Sequence, residues 1–436
     1  MKRLVMLLVA LMMVAGAVRP VSAAQRAPAL DPVATWNGLA LDAVRVARAS
    51  DSDAARSYAM VNAAIYDAVN GIAARHGGRH RAYLLKSPEG APPQGDEQAA
   101  AVSAAHAVLS LLYPDGAARF DQQLAADLAK LGNGPRVTAG RAWGRTVGDD
   151  VFDARAADGS RPVETQPAGS GPGVFPLAWP GAQYRNMTPF AVADTGRYVG
   201  SGPPALTSLD YAGAVAEIKL VGDARIDDPA KLAQFQYWSL AAGTDQPPGE
   251  WVKIALEVSA RRSLPDRSRL LALLGVALSD VSISTARAKF VYRHWRPETA
   301  IQQADTDGNP YTDKDAGWKA RAGSPGGTPE YVSGHSSFSG AGSAVLAGFF
   351  CADRVAFTHV TDSAPIDPAT GLPMRRSYSS FSQAAADAGR SRVVGGVHFE
   401  FSNQAGLTMG RDLAAEVLAK KLLYMTGPTH HGECPL

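Results

Sequence analysis

Apolar residues recur along this chain at three- and four-residue steps through almost its whole length, and sustained two-residue alternation is nearly absent. A helix buries one stripe of that period whereas a strand buries every second residue, so the pattern predicts an all-α fold. The clearest stretch is 53–74 (DAARSYAMVNAAIYDAVNGIAA), which opens on Asp and closes near Gly77-Gly78. Comparable helices are predicted at about 97–112, 116–131, 136–157, 207–220, 228–241, 247–262, 266–290, 334–350, 379–393 and 403–425. Ala-rich runs such as 98–106 let helices approach closely, which suits helical bundles. Gly- and Pro-rich segments at 158–187, 297–332 and 361–378 interrupt the pattern, and loops of that length in a compact domain are commonly functional.

The N-terminus follows a different logic. Basic Lys2 and Arg3, an apolar run from Leu4 to Val18 and the small-residue exit Val21-Ser22-Ala23 have the order of a secretory signal cleaved after Ala23. The alternative is an uncleaved anchor, but the run is shorter than the roughly 20 apolar residues that span a bilayer. No later segment reads as a membrane span, so the mature protein is expected to be periplasmic or extracellular. The expected organisation is a signal peptide at 1–23, an N-terminal helical half at 24–245, a C-terminal half at 246–428 and a tail at 429–436. Net charge is +2, and loss of Lys2, Arg3 and Arg19 takes it to −1. A near-neutral chain gives no electrostatic reason to expect nucleic acid or an anionic membrane as partner. Two cysteines cannot supply a disulfide scaffold. Cys351 and Cys434 either pair as a staple for the tail or stand as a buried thiol and an exposed one, since spacing carries no geometry.

Chemistry concentrates in the last third, in three clusters: Lys289-x6-Arg296-Pro297, Ser333-Gly334-His335 and Ser391-Arg392-x5-His398. Guanidinium groups hold anionic oxygens through paired charge-assisted hydrogen bonds, and Lys adds a point charge. Gly334 at a helix start lets a backbone amide approach an anion with the helix dipole in its favour. One histidine beside such a site can attack or ligate a central atom while another moves protons. Pro297 is expected to end the preceding helix just after Arg296. Taken singly, each cluster has a plainer explanation, such as a loop entering a helix or a cation at a helix C-terminus. Together they form the inventory for holding a tetrahedral oxyanion.

With these motifs the sequence resembles the superfamily of vanadium-dependent haloperoxidases and type 2 phosphatidic-acid phosphatases, in particular bacterial haloperoxidase-type members. WNGLALDAVRVARAS, ARSYAMVNAAIYDAVN, AQFQYWS, PPGEW, HWRPETAI, ADTDGNP, PEYVSGHSSFSGA and AGRSRVVGGVHFEF extend the resemblance over most of the chain. It implies two four-helix-bundle-like halves with the oxyanion site in the second. It further implies that His398 ligates vanadate, or is phosphorylated in a phosphatase. Lys289, Arg296 and Arg392 would then neutralise equatorial oxygens, Ser333 and the Gly334 amide would complete the cradle, and His335 would be the acid–base residue. The implied activity is oxidation of halide by hydrogen peroxide at vanadate, with phosphate as competitor. The alternatives are an acid phosphatase acting on phosphomonoesters and a non-catalytic oxyanion-binding relative.

Four positions depart from the family pattern: Val332 replaces a usual Pro, Ser402 replaces the Asp of His-x3-Asp, Glu250 replaces a common His and Arg287 replaces a common acid. Ser402 in particular predicts a His398 without the carboxylate that would orient it and raise its basicity. Asp305-x-Asp307-Gly308-Asn309 reads as a turn, because Pro310 and the missing terminal Glu break a calcium loop. His430-His431-x2-Cys434 reads as a tail, and His294 as a packing or supporting residue between Tyr292 and Trp295. Edman sequencing of the exported protein is expected to start at Ala24 or a near neighbour; an intact Met1 in membrane fractions would reject the cleaved-signal reading.

Overall fold

The computed structural model describes residues 30–77 and 90–422. The signal peptide, His80, His430, His431 and Cys434 lie outside the described residues, so neither the cleavage site nor the Cys351–Cys434 pairing is addressed by it. Thirteen α-helices are present among the described residues. They are α1 (Pro32–Ala47), α2 (Asp51–Ala74), α3 (Glu97–Leu112), α4 (Ala117–Leu131), α5 (Pro135–Ala154), α6 (Leu209–Val221) and α7 (Pro229–Tyr237). After these come α8 (Gln246–Val258), α9 (Leu264–Tyr292), α10 (Pro297–Gln302), α11 (Gly334–Phe350), α12 (Phe381–Val394) and α13 (Glu400–Lys420). The strands are four short ones: β1 (Thr165–Gln166) pairs antiparallel with β2 (Trp179–Pro180), and β3 (Phe357–His359) with β4 (Arg376–Tyr378). The fold is therefore all-α, and every helix predicted from periodicity is present to within a few residues at each end.

Two helices escaped the pattern. In α1 the pair Asn37-Gly38 reads as a turn, but the Asn37 amide is buried and donates to Val33 O and to Asn62 Oδ1, both at 2.9 Å. Its side chain is thus engaged in the core rather than in bending its own backbone. The second is α10, and it corrects the expectation for Pro297. Helix α9 has already ended at Tyr292, with Arg293 in the left-handed region, and Pro297 opens α10 with Arg296 as its N-cap. A proline at the first helical position loses no hydrogen bond and has its φ already set.

The described residues from Asp31 to Leu422 form one compact unit. At its centre runs α9, which packs on α2, α11 and α13, while α11 lies along α13 and α12. By length and composition α9 is the one described helix that would pass for a membrane span, contrary to the sequence expectation, yet its apolar stretch is wholly buried inside the protein. Small residues set the closest contacts. A Cβ on Gly340 of α11 would strike the Leu407 carbonyl of α13, and one on Gly410 of α13 would strike the backbone of Ser337 and Ala341. These contacts fix the start of α11, and with it Ser333, Gly334 and His335. Gly410→Ala is expected to cost about 3 kcal/mol or more, because backbone rather than a flexible side chain must move; a thermal melt within ~0.5 kcal/mol of wild type would contradict this packing.

Candidate oxyanion site

The site is built from the ends of helices. Lys289 lies in the last turn of α9 and Arg392 in the last turn of α12. Ser333 caps α11, accepting from the Ser336 hydroxyl at 2.8 Å, and Gly334 and His335 form the first turn, whose amides have no intrahelical acceptor. The 297–332 loop wraps Arg296: its Nε donates to Thr328 O at 2.7 Å and its Nη2 to Thr328 Oγ1 at 3.1 Å. Gly326, with φ +95°, passes so near that a Cβ there would stand 2.8 Å from the guanidinium carbon. Only glycine combines that conformation with that approach.

His398 sits in the connection between α12 and α13, 4% exposed. Its Nε2 is 3.0 Å from Arg296 Nη1, which also donates to Val397 O at 2.6 Å. Its Nδ1 is 3.0 Å from Oε1 of Glu330, and the Phe399 amide donates to the same oxygen at 3.0 Å. An oxygen already accepting one N–H is the acceptor for the other, so Nδ1 carries the proton and Nε2 presents its lone pair to the cations. Lys289 Nζ donates to the carbonyls of Pro329 and Glu330. Arg392 lies over the Phe235 ring at 4.9 Å and donates to Trp238 O at 3.4 Å. Its Nε, together with His335 Nε2 and Glu330 Oε2, is buried with no hydrogen-bond partner among the described residues.

Charge in this pocket is poorly balanced. Burial pushes Arg392 down to about 9, with Arg296 adding to the effect, and burial pushes Arg296 down to about 10. Burial and then Arg296 hold the Lys289 ammonium well below its ordinary range. Burial, followed by Arg296, Lys289 and Arg392, keeps His398 neutral. His335 is likewise held low by burial and by Arg392, against hydrogen bonds to the backbone of Ser239 and Trp238. Burial raises Glu330 to about 7, opposed by Arg296, the Phe399 amide and Lys289. Three basic groups thus face Glu330, itself reluctant to ionise, with Asp51 as the other carboxylate near Lys289, an imbalance that an added oxyanion would relieve.

All seven residues named from sequence are therefore brought to one place, and an eighth joins them. Glu330 supplies the carboxylate behind His398 that sequence placed at position 402 and found missing. Ser402 is fully buried and donates its hydroxyl to the Glu330 carbonyl at 3.3 Å, so it braces the loop that carries the acid. Glu330 stood in the quoted segment PEYVSGH, but nothing in a sequence links it to a histidine 68 positions on.

The other departures lie elsewhere. Glu250 bonds His359 Nε2 at 2.7 Å and the Lys253 ammonium at 2.7 Å. With Asp245 and Asp362, also bridged by Lys253 at 3.0 Å, it forms a charged cluster outside the cradle, joined by Arg45 of α1. Arg287 donates to Arg185 O at 2.8 Å. His294 packs against Tyr211, Phe399 and Phe401, with burial pushing it down to about 3. Asp307 accepts from Asn309 N and Thr312 Oγ1, the turn expected.

These features define a helical-bundle protein with a buried cationic cradle around a neutral, carboxylate-backed histidine. Residues 269–427 match the VCPO second helical-bundle domain. The chain shares its fold, at TM-score 0.73 and 22% identity over 90% of its length and 97% of the other chain, with a bacterial vanadium-dependent iodoperoxidase. Apo and holo forms of a bacterial vanadium-dependent chloroperoxidase align at TM-score 0.59 and 18% identity, the holo form over 89% of this chain and 92% of its own. No curated protein is significantly similar in sequence. Residues 269–427 thus carry the second helical-bundle domain that this family model describes, and the chain shares the fold of the solved bacterial vanadium-dependent peroxidases.

Glu330→Gln keeps an acceptor for Phe399 N–H but removes the charge behind His398. It is expected to weaken vanadate binding, measured by calorimetry, about 10- to 100-fold, as loss of such supporting partners does. Ser402→Asp, which would set a second carboxylate beside Glu330, is expected to lower vanadate affinity and melting temperature together; a gain in affinity would mean that Glu330 is not the working partner.

Proposed function

We propose that this is an exported vanadate-dependent haloperoxidase. The observation that carries the reading is His398: neutral, backed by Glu330 at Nδ1, with its unprotonated Nε2 3.0 Å from Arg296 Nη1 and within the field of Lys289 and Arg392. That donor set fits a tetrahedral metal oxyanion. His398 Nε2 would be the ligand to the metal, the three cations would take the equatorial oxygens, and Ser333 and the Gly334 amide would close the cradle. The partnerless Nε of Arg392 and Nε2 of His335 are the unfilled hydrogen bonds such a group would complete. When bound, vanadate would supply a Lewis acid that activates hydrogen peroxide toward a halide without changing its own redox state.

The chain's own part is to hold and to move protons. Glu330 keeps the Nδ1 proton in place, so that Nε2 stays available. The cations stabilise negative charge in a site from which water is largely excluded. His335, neutral and with an unused Nε2, takes and returns the proton of an entering peroxide.

A second reading, acid phosphatase through a phosphohistidine, draws support from the same Glu330–His398 pair, since a carboxylate behind the imidazole also favours its attack on phosphorus. One set of assays separates them. Wild-type protein reconstituted with vanadate is expected to brominate a dye in the presence of peroxide and to hydrolyse a generic phosphomonoester slowly. His398→Ala should abolish tight vanadate binding, and Arg392→Ala should weaken it with the fold intact. Rapid phosphomonoester hydrolysis without vanadate-dependent bromination would make the phosphatase the correct reading.

A further inference from the structure

A small cavity of about 140 Å³ adjoins the cradle on its Lys289 and Thr328 side, walled also by Ser50, Asp51, Tyr184 and Phe338. Among the described residues Asp51 is the only carboxylate lining it. It comes from the other end of the chain, as the first residue of α2. Its Oδ1 accepts from the Ser52 amide at 2.7 Å and from the Ser52 hydroxyl at 3.4 Å. Its Oδ2 has no hydrogen-bond partner among the described residues. That oxygen stands 3.6 Å from the position a Cβ would take on Gly334, so it borders the cradle where the α11 amides begin. Asp53, in the same helical turn, already complements the α2 dipole and pairs with Arg161 at 3.0 Å, so a helix-capping role does not account for the free oxygen.

An ionised carboxylate accepts hydrogen bonds and cannot donate them. An oxyanion carrying a hydroxyl, such as hydrogen phosphate or protonated vanadate, can place that hydroxyl on Oδ2 while its bare oxygens face the cations. A fully deprotonated oxyanion such as sulfate can only be repelled there. We propose that Asp51 is a specificity-determining residue of the site, selecting oxyanions that bear an O–H over those that do not. The inference rests on the oxyanion reading of the cradle and is independent of halide oxidation. Burial raises the Asp51 carboxyl above its ordinary range, while the Ser52 amide and then the Lys289 charge draw it back toward the ionised form that accepts.

The test is calorimetric binding of inorganic phosphate and of sulfate to the full-length protein and to Asp51→Asn, at one pH and ionic strength. In Asp51→Asn the amide oxygen keeps the Ser52 contact and an NH2 takes the place of Oδ2, turning an acceptor into a donor. Wild type is expected to prefer phosphate by about tenfold or more, as charge-assisted hydrogen bonds allow. The variant should lose that preference mainly through tighter sulfate binding. An equal loss of both affinities would show that Asp51 only positions Lys289, and an unchanged ratio would show that it does not meet the ligand; either overturns the inference alone. Failure of wild type to bind either anion overturns the oxyanion reading with it. Asp51→Ala, which deletes the acceptor without adding a donor, is expected to fall between the two, and a ratio equal to that of wild type would again overturn the inference.

Discussion

Three buried basic groups, with Glu330 behind His398 and Asp51 near Lys289 as the carboxylates set against them, are the constraint around which residues 246–422 are arranged. Lys289 and Arg392 both sit in the last turns of their helices, where the dipole is negative and a positive charge is at its least costly. The start of α11 points the opposite pole of a helix into the same space. The fold thus gathers two C-termini that tolerate cations and one N-terminus that attracts anions. Backbone carbonyls of Thr328, Pro329, Val397 and Trp238 take up individual N–H groups. These acceptors satisfy hydrogen bonds but leave net charge, and that charge is what makes the site a candidate to hold an anion.

Holding such an arrangement together requires a rigid frame, and two kinds of contact provide it. Close helix crossings at Gly340 and Gly410 leave α11 no freedom to slide against α13. Farther away, Lys253 binds Asp245, Glu250 and Asp362, and Arg45 joins the last of these to α1. His359, bonded to Glu250, stacks on Trp238 at 6.0 Å, and the Trp238 carbonyl is the acceptor for Arg392. The charged cluster is therefore connected, through one aromatic stack, to a cation of the cradle. Three carboxylates around an ammonium resemble a metal site in their ligand atoms, but here Lys253 supplies the positive charge.

Much of this was legible in the sequence, for reasons that differ by level. Helices such as α2 and α9 were legible because their apolar periodicity is local. The seven cradle residues were legible because each motif keeps a fixed spacing on one helix end or one loop. What the sequence concealed is long-range pairing. Glu330 and His398 meet only because the 297–332 loop folds back on the start of α13, and no local signal records that. Ser402 therefore looked like a lost carboxylate, when the carboxylate had moved to another element and the hydroxyl had become a brace for it. Helix α1 was hidden for a related reason: Asn37-Gly38 has turn chemistry until Asn62 supplies a buried partner.

The relocation of the acid changes what the site can do. A carboxylate at position 402 would sit on α13, the element that follows His398 directly, and the two would move together. Glu330 instead comes from the loop that also supplies Thr328 and Pro329, the acceptors for Arg296 and Lys289. Any shift of that loop alters the proton on His398 and the position of two cations at once. An anion that engages Arg296 and Lys289 consequently also fixes Glu330, so ligand binding and the protonation of the histidine are coupled through one segment of chain. On the proposed function, the cost of burying the cations in the free protein would then become binding energy for the oxyanion.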